Sequence, residues 1–177
     1  MTSQVLGVVI LVATEIMFFA GLVSAFLISR AGARVWPPPD QPRLPVEATA
    51  LNTAVLLASG LLLYLAGRRS EAWSLRLRAL LPWAAALGAL FVALQGVEWV
   101  RLVRFGLTMT SSTYGAFFYV VVGAHALHVL AGLLALLWVT RLLHGGRLGD
   151  EAFRAVRIFW YFVVGLWPVL YGLVYLL

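Results

Sequence analysis

Residues 113–140 read TYGAFFYVVVGAHALHVLAGLLALLWVT, and a helix of that length, at 1.5 Å per residue, is long enough to cross the ~30 Å hydrocarbon core of a bilayer. Four further stretches meet the same requirement of about 20 mostly apolar residues: 5–29, 48–67, 79–100 and 156–177. Of the 177 residues, 63% are hydrophobic and 11% are charged, with a mean hydropathy of +0.96. Soluble domains carry roughly 45–50% apolar and about 25% charged residues, so both values depart in the direction that lipid tolerates and water does not. The sequence therefore specifies an all-α fold: a single integral membrane domain of five transmembrane helices, about 5–29, 48–67, 79–100, 113–140 and 156–177.

The first run has no positive region before it and exceeds the apolar length of a secretory signal, so it is expected to stay in the mature chain. The connections, 30–47, 68–78, 101–112 and 141–155, are too short to hold a second domain, and no internal repeat is visible. WPPPDQPRLP at 36–45 forbids a helix in the first loop and predicts an ordered strap across the membrane surface. Cysteine is absent, which excludes disulfides, thiolate zinc sites and iron–sulfur clusters. All 13 basic residues are arginines against 7 acidic residues, and they lie in short loops rather than in one patch that could follow phosphates. Nucleic-acid binding is not expected. Loops two and four, with Arg157 at the start of the fifth run, hold eight arginines (Arg68, Arg69, Arg76, Arg78, Arg141, Arg147, Arg154, Arg157) and loops one and three hold five (Arg30, Arg34, Arg43, Arg101, Arg104). The positive-inside rule then places the N-terminus, Arg69 and Arg147 on the cytoplasmic side and Pro38 and the C-terminus outside. Trp73, Trp83, Trp99, Trp138 and Trp160 fall near the predicted helix ends, where an indole keeps its ring apolar and its N–H wet.

Several polar residues stand inside these spans. Glu15, in VATEIMFFAGL, lies about 15 Å inside the first helix and has no Lys or Arg within a turn. A carboxylate facing lipid is costly, so Glu15 is expected to be neutral or proton-sharing and turned toward another helix, either as a structural acid or in proton handling. Glu98, in LQGVEWVRLVR, shares a face with Gln95 and Arg101, and an ion pair with Arg101 is the plain reading. His125 and His128 stand three apart on one face of the fourth helix. Neighbours on one face cannot ligate a single haem from opposite sides, His144 is placed in a loop, and no Glu precedes either histidine by three residues as a carboxylate di-metal site would require. The chain itself is therefore expected to bind no metal and no cofactor, and the two histidines to make interhelical hydrogen bonds. Gly21 with Ala25, Ser59 with Gly60, and Gly123 with Ala124, Ala131 and Gly132 supply the small residues at which membrane helices approach closely.

The order EIMFFAGLVSAFLISR, VWPPPDQPRLPVEATALNTAVLLASG, LQGVEWVRLVRFGLTMTSSTYGAFFYVVVGAHALHVLAG and FWYFVVGLWPVLYGLVY resembles subunit III of haem–copper cytochrome c oxidases, over nearly the whole chain. The most specific parts are LNT followed by LLASG, QGVEW, TYG followed by FF, and G-x-H-x-L-H-V. The resemblance is to the shorter, five-helix form of the family. It implies a non-catalytic subunit that packs on the catalytic subunit I, together with subunit II, while haem and copper reside in those partners. It further implies support for the stability of the catalytic subunit, for proton uptake during oxygen reduction by cytochrome c, and for binding of membrane phospholipids. By position Glu15 matches the buried glutamate of the family's first core helix, Glu98, His125 and His128 carry over directly, and Arg141 matches a basic position that holds a lipid phosphate. A planar guanidinium suits that task.

Where relatives have Trp-His-Phe-Val-Asp this chain has Trp160, Tyr161, Phe162, Val163 and Val164, so proton-related roles of the last helix do not transfer. Ser24 and Ile28 replace the Trp and His that contact a cleft lipid in many relatives. These losses leave open the subunit III homologue of quinol oxidases or nitric oxide reductases, since nothing in the chain reads the electron donor. Two readings from other classes are a small transporter coupled to protons at Glu15, which usually shows repeats or broken helices, and a membrane cytochrome. The resemblance also implies a prokaryotic cytoplasmic membrane.

Overall fold

The computed structural model describes residues 3–39, 41–68 and 73–177. Five helices follow one another: α1 (Ser3–Gly32), α2 (Val46–Ala66), α3 (Trp73–Arg104), α4 (Thr113–His144) and α5 (Asp150–Tyr171), the last running into a π-helical turn, Gly172–Leu176. Among the described residues, all five are long and apolar enough to cross a membrane.

The helices outrun the apolar runs because their ends stand beyond the hydrocarbon core, where polar residues join a helix at no desolvation cost. α3 starts at Trp73 rather than near 79, and α5 at Asp150 rather than near 156; Asp150 and Glu151 occupy the first turn of α5, where carboxylates favour the helix N-terminus. This corrects the expectation for Trp160. It lies ten residues inside α5 and is wholly buried, not at an interface. α4 continues to His144, which is helical rather than in a loop and places Nδ1 2.8 Å from the carbonyl of Thr140. Trp83, ten residues inside α3, and Trp138, near the end of α4, are exposed, the Nε1 of Trp99 is buried rather than wet, and the side chain of Trp73 lies outside those described.

α2, α3, α4 and α5 close a ring, each packing on the next and α5 returning to α2, while α1 lies outside it against α5 and α4. With lipid as solvent there is no hydrophobic drive between helices, so close contact and hydrogen bonds must hold this ring. Trp160 is where both meet. A Cβ at Gly88 of α3 or at Gly132 of α4 would come within 2.8 Å of the indole, so these two glycines form the slot that the ring fills. Its Nε1 donates to Ser59 Oγ of α2 at 3.2 Å, and Ser59 Oγ donates to the carbonyl of Ala84 of α3 at 2.7 Å. Seven residues on, Trp167 Nε1 donates to Thr53 Oγ1 of α2 at 2.9 Å. Gly60 likewise admits Val164, whose Cγ1 would lie 2.9 Å from an added Cβ. Gly21 has nothing within 4 Å and serves no close approach.

Among its described residues the first loop forms no helix, as its prolines require. Trp36 packs edge-on to Phe26 at 5.7 Å and to Tyr114 at 5.2 Å, Leu44 is buried, and Gln41 Oε1 accepts from Ser111 Oγ and Ser112 Oγ of the third loop at 3.0 and 3.3 Å. Loops one and three and the final π turn thus share one end of the bundle. The turn after α3 requires glycine at 106, where φ is +90°, as the chain reverses with Leu107 N–H bonded to the carbonyl of Leu102.

Candidate functional site

α1 buries only Phe19 and Phe26, so its inward stripe is narrow. Phe19 sits one turn beyond Glu15 and packs edge-on to His125 and His128 of α4, with centroids 6.4 and 5.2 Å away. That seat carries Glu15 to α4. Its Oε2 lies 2.9 Å from Nε2 of His128, with 22% of the Glu15 side chain and 19% of the His128 side chain still exposed. The pair therefore occupies the seam between α1 and α4, not the centre of the ring.

The second ring nitrogen of His128 decides what this pair can be. Nδ1 stands 2.7 Å from the carbonyl of Ala124, which can only accept, so Nδ1 carries a hydrogen. Nε2 then either accepts a proton from a neutral Glu15 or, in an imidazolium, donates to a carboxylate. One proton is shared across the contact in both states. Glu15 of α1 and His128 of α4 are thus in contact between two helices.

His125 behaves differently. It is 1% exposed and stacks on the indole of Trp167 in α5, centroids 4.9 Å apart and planes 22° from parallel. Neither of its nitrogens has a hydrogen-bond partner among the described residues, so the expected interhelical bond is absent there; a buried polar group left unpaired costs about 1–3 kcal/mol. Three residues separate two imidazoles with different surroundings because the helix turns them about 60° apart, one toward α1 and one toward α5.

Glu98 forms the expected pair, accepting from Arg101 Nη1 at 2.9 Å. On the same face Gln95 Nε2 donates to the Tyr175 hydroxyl of the π turn at 3.2 Å. Neither residue joins the Glu15 site through any bond shown. Arg141 is exposed in the last turn of α4, and its side chain has no ion pair among the described residues. No three His, Asp or Glu side chains come together among the described residues as a metal site would require.

Sequence reasoning missed Tyr175 and the joining roles of Trp160, Trp167 and Arg157. The two tryptophans do carry a signal, since a seven-residue spacing puts both indole donors on one helix face. Arg157 Nη1 donates to the carbonyl of Gly67 at 3.3 Å, and its guanidinium stands 5.6 Å from the Phe153 ring, so the loop-two end of α2 is tied to α5. No spacing within α5 could have announced that contact, whose partner is a backbone oxygen of another helix.

Residues 2–177 match the family model described as cytochrome c oxidase subunit III. The chain is 33% identical to a probable cytochrome c oxidase subunit 3 of Nocardia farcinica, covering 96% of this chain and 85% of that protein. It is 33% identical to cytochrome c oxidase subunit 3 of Synechocystis, covering 98% and 76%. With cytochrome c oxidase subunit 3 of the sea urchin Strongylocentrotus purpuratus it shares 34% identity over 96% of this chain and 68% of the relative.

Proposed function

Because the chain belongs to the cytochrome c oxidase subunit III family, we propose that it is the non-catalytic subunit of a respiratory haem–copper oxidase that takes electrons from cytochrome c. It packs on subunit I, in company with subunit II, and those partners carry the haem and copper. It lies in a prokaryotic cytoplasmic membrane with the N-terminus inside and the C-terminus outside.

The family match over residues 2–177 carries this assignment, and the Glu15–His128 contact is the feature that bears on proton handling. An ion pair in hydrocarbon bears the desolvation of two charges, whereas a protonated carboxyl bonded to a neutral imidazole bears neither. Such a pair can pass a proton on or take one up with little rearrangement. Its half-open position in the α1–α4 seam, on the helix that stands outside the ring, leaves it accessible to a partner subunit. Its role is to support proton uptake and to hold the catalytic subunit intact during oxygen reduction. Arg141, exposed at the cytoplasmic end of α4, holds the phosphate of a membrane phospholipid through its guanidinium fork.

Co-purification tests the assignment. Mild solubilisation of native membranes should bring this chain out with haem-bearing subunits, and the chain separated from them should hold no haem, copper or iron. Migration away from every haem-bearing protein, or haem retained on the isolated chain, would refute it.

A further inference from the structure

A cavity of about 170 Å³ lies in the seam between α3 and α4, with Trp167 of α5 as its floor. Its exposed lining residues, Gly96 of α3 and Leu130 of α4, frame a mouth on the side that meets lipid, while Phe91, Val122, Val129 and Trp167 are buried and form its depth. We propose that this cavity is a dry binding site for one small apolar molecule, a dissolved gas or a hydrocarbon no larger than a single ring, taken up from the bilayer.

The chemistry of the wall excludes water. Gln95, Trp99 and His125 also line the cavity, but Oε1 of Gln95, Nε1 of Trp99 and both His125 nitrogens are enclosed by protein atoms and turn no surface toward it. The Gln95 amide is held by its bond to Tyr175, and the His125 ring by its stacking on Trp167. What these residues present to the cavity is almost wholly carbon. A buried water needs two to four polar partners, and none faces this space. An ion would need still more.

Size and position select the class of ligand. An apolar cavity of about 150 Å³ stays dry and takes benzene or xenon, and this one is of that size. Wall atoms that face a void lack dispersion partners on that side, and an apolar occupant restores those contacts without asking for a hydrogen bond. The mouth opens into hydrocarbon, where such molecules dissolve. A lipid chain is tethered to its headgroup and runs along the membrane normal, whereas this cavity runs inward across the helix axes, from Gly96 and Leu130 to Trp167. A free small molecule suits that direction. Once seated it touches α3, α4 and α5 together, so it stiffens the seam.

The test is xenon pressurisation of the purified assembly that contains this chain. One xenon is expected between Gly96 and Trp167, with no ordered water within about 3.2 Å of the His125 nitrogens in the map recorded without xenon. Gly96→Leu fills the mouth, and since a Cβ added there meets nothing within 4 Å, the fold should accept it and the xenon should be lost. Should that variant fail to assemble, Ala126→Leu closes the mouth from α4 and should lose xenon in the same way. Benzene is the second probe: it should raise the thermal unfolding midpoint of the wild-type chain more than that of the variant. An empty wild-type cavity under xenon, ordered water or continuous acyl-chain density within it, xenon retained in the filled variant, or equal benzene shifts would each overturn the proposal.

Discussion

Oε2 of Glu15 and Nε2 of His128 stand 2.9 Å apart on two different helices, and they join α1 to α4 beside the ring contacts of Phe19 with His128 and of Phe26 with Phe117. α1 buries two residues along its length, so a polar contact at its middle carries more of its attachment than such a contact would inside the ring.

Glu15→Gln is expected to keep this attachment, because the amide can donate to Nε2 as the carboxyl does, whereas Glu15→Leu leaves Nε2 without a partner. Interhelical bonds of this kind contribute about 0.6 kcal/mol on average and up to about 1.7. Unfolding of the purified chain in mixed detergent should show Glu15→Leu destabilised by about that amount and Glu15→Gln nearly unchanged. A coupling of zero in the double-mutant cycle with His128→Leu would mean that the contact does not form.

The protonation state is open to infrared spectroscopy. A neutral pair places the Glu15 carbonyl stretch in the region of protonated carboxyl groups near neutral pH, and Glu15→Gln should remove that band. A carboxylate signal assigned to residue 15 under the same conditions would favour the imidazolium–carboxylate state instead.

Gly132→Ala and Gly88→Ala are expected to destabilise the fold by about 1–3 kcal/mol each, the usual range for overpacking, because either methyl would stand 2.8 Å from the Trp160 ring. Gly21→Ala, with nothing within 4 Å of the added atom, should be neutral or slightly stabilising through its better helix propensity. Thermal unfolding of the three variants side by side checks the contrast, and equal effects would contradict the slot.

These particulars show what could be read from the chain alone. Five spans were legible because each needs about 20 apolar residues, and the helix-free first loop because proline excludes helix there. Glu15 was legible because a carboxylate inside a span requires a partner. His128 as that partner was not, since register between α1 and α4 is set by how Phe19 seats against the two imidazoles. Trp160 was misplaced at an interface because apolar run length marks the hydrocarbon core, while α5 begins six residues earlier at Asp150. The slot made by Gly88 and Gly132 joins residues of α3 and α4 to α5, and no local pattern records it.

Orientation can be fixed by placing cysteine in a chain that has none. An impermeant thiol reagent should label position 38 from outside in intact cells and label position 147 only after the membrane is opened. Arg69, expected on the same side as Arg147, lies outside the described residues and offers a second cytoplasmic probe. Outside labelling at 147 would invert the assignment.

The claim that this chain sustains a catalytic partner without catalysing anything itself is tested most directly by counting turnovers before inactivation in the purified oxidase, with and without this chain and with Glu15→Leu. The account predicts unchanged haem and copper content and a substantial initial rate in all three, with severalfold fewer turnovers before inactivation when the chain is absent and an intermediate loss for Glu15→Leu. Loss of haem or copper on removing the chain, or an identical turnover number in all three preparations, would contradict it.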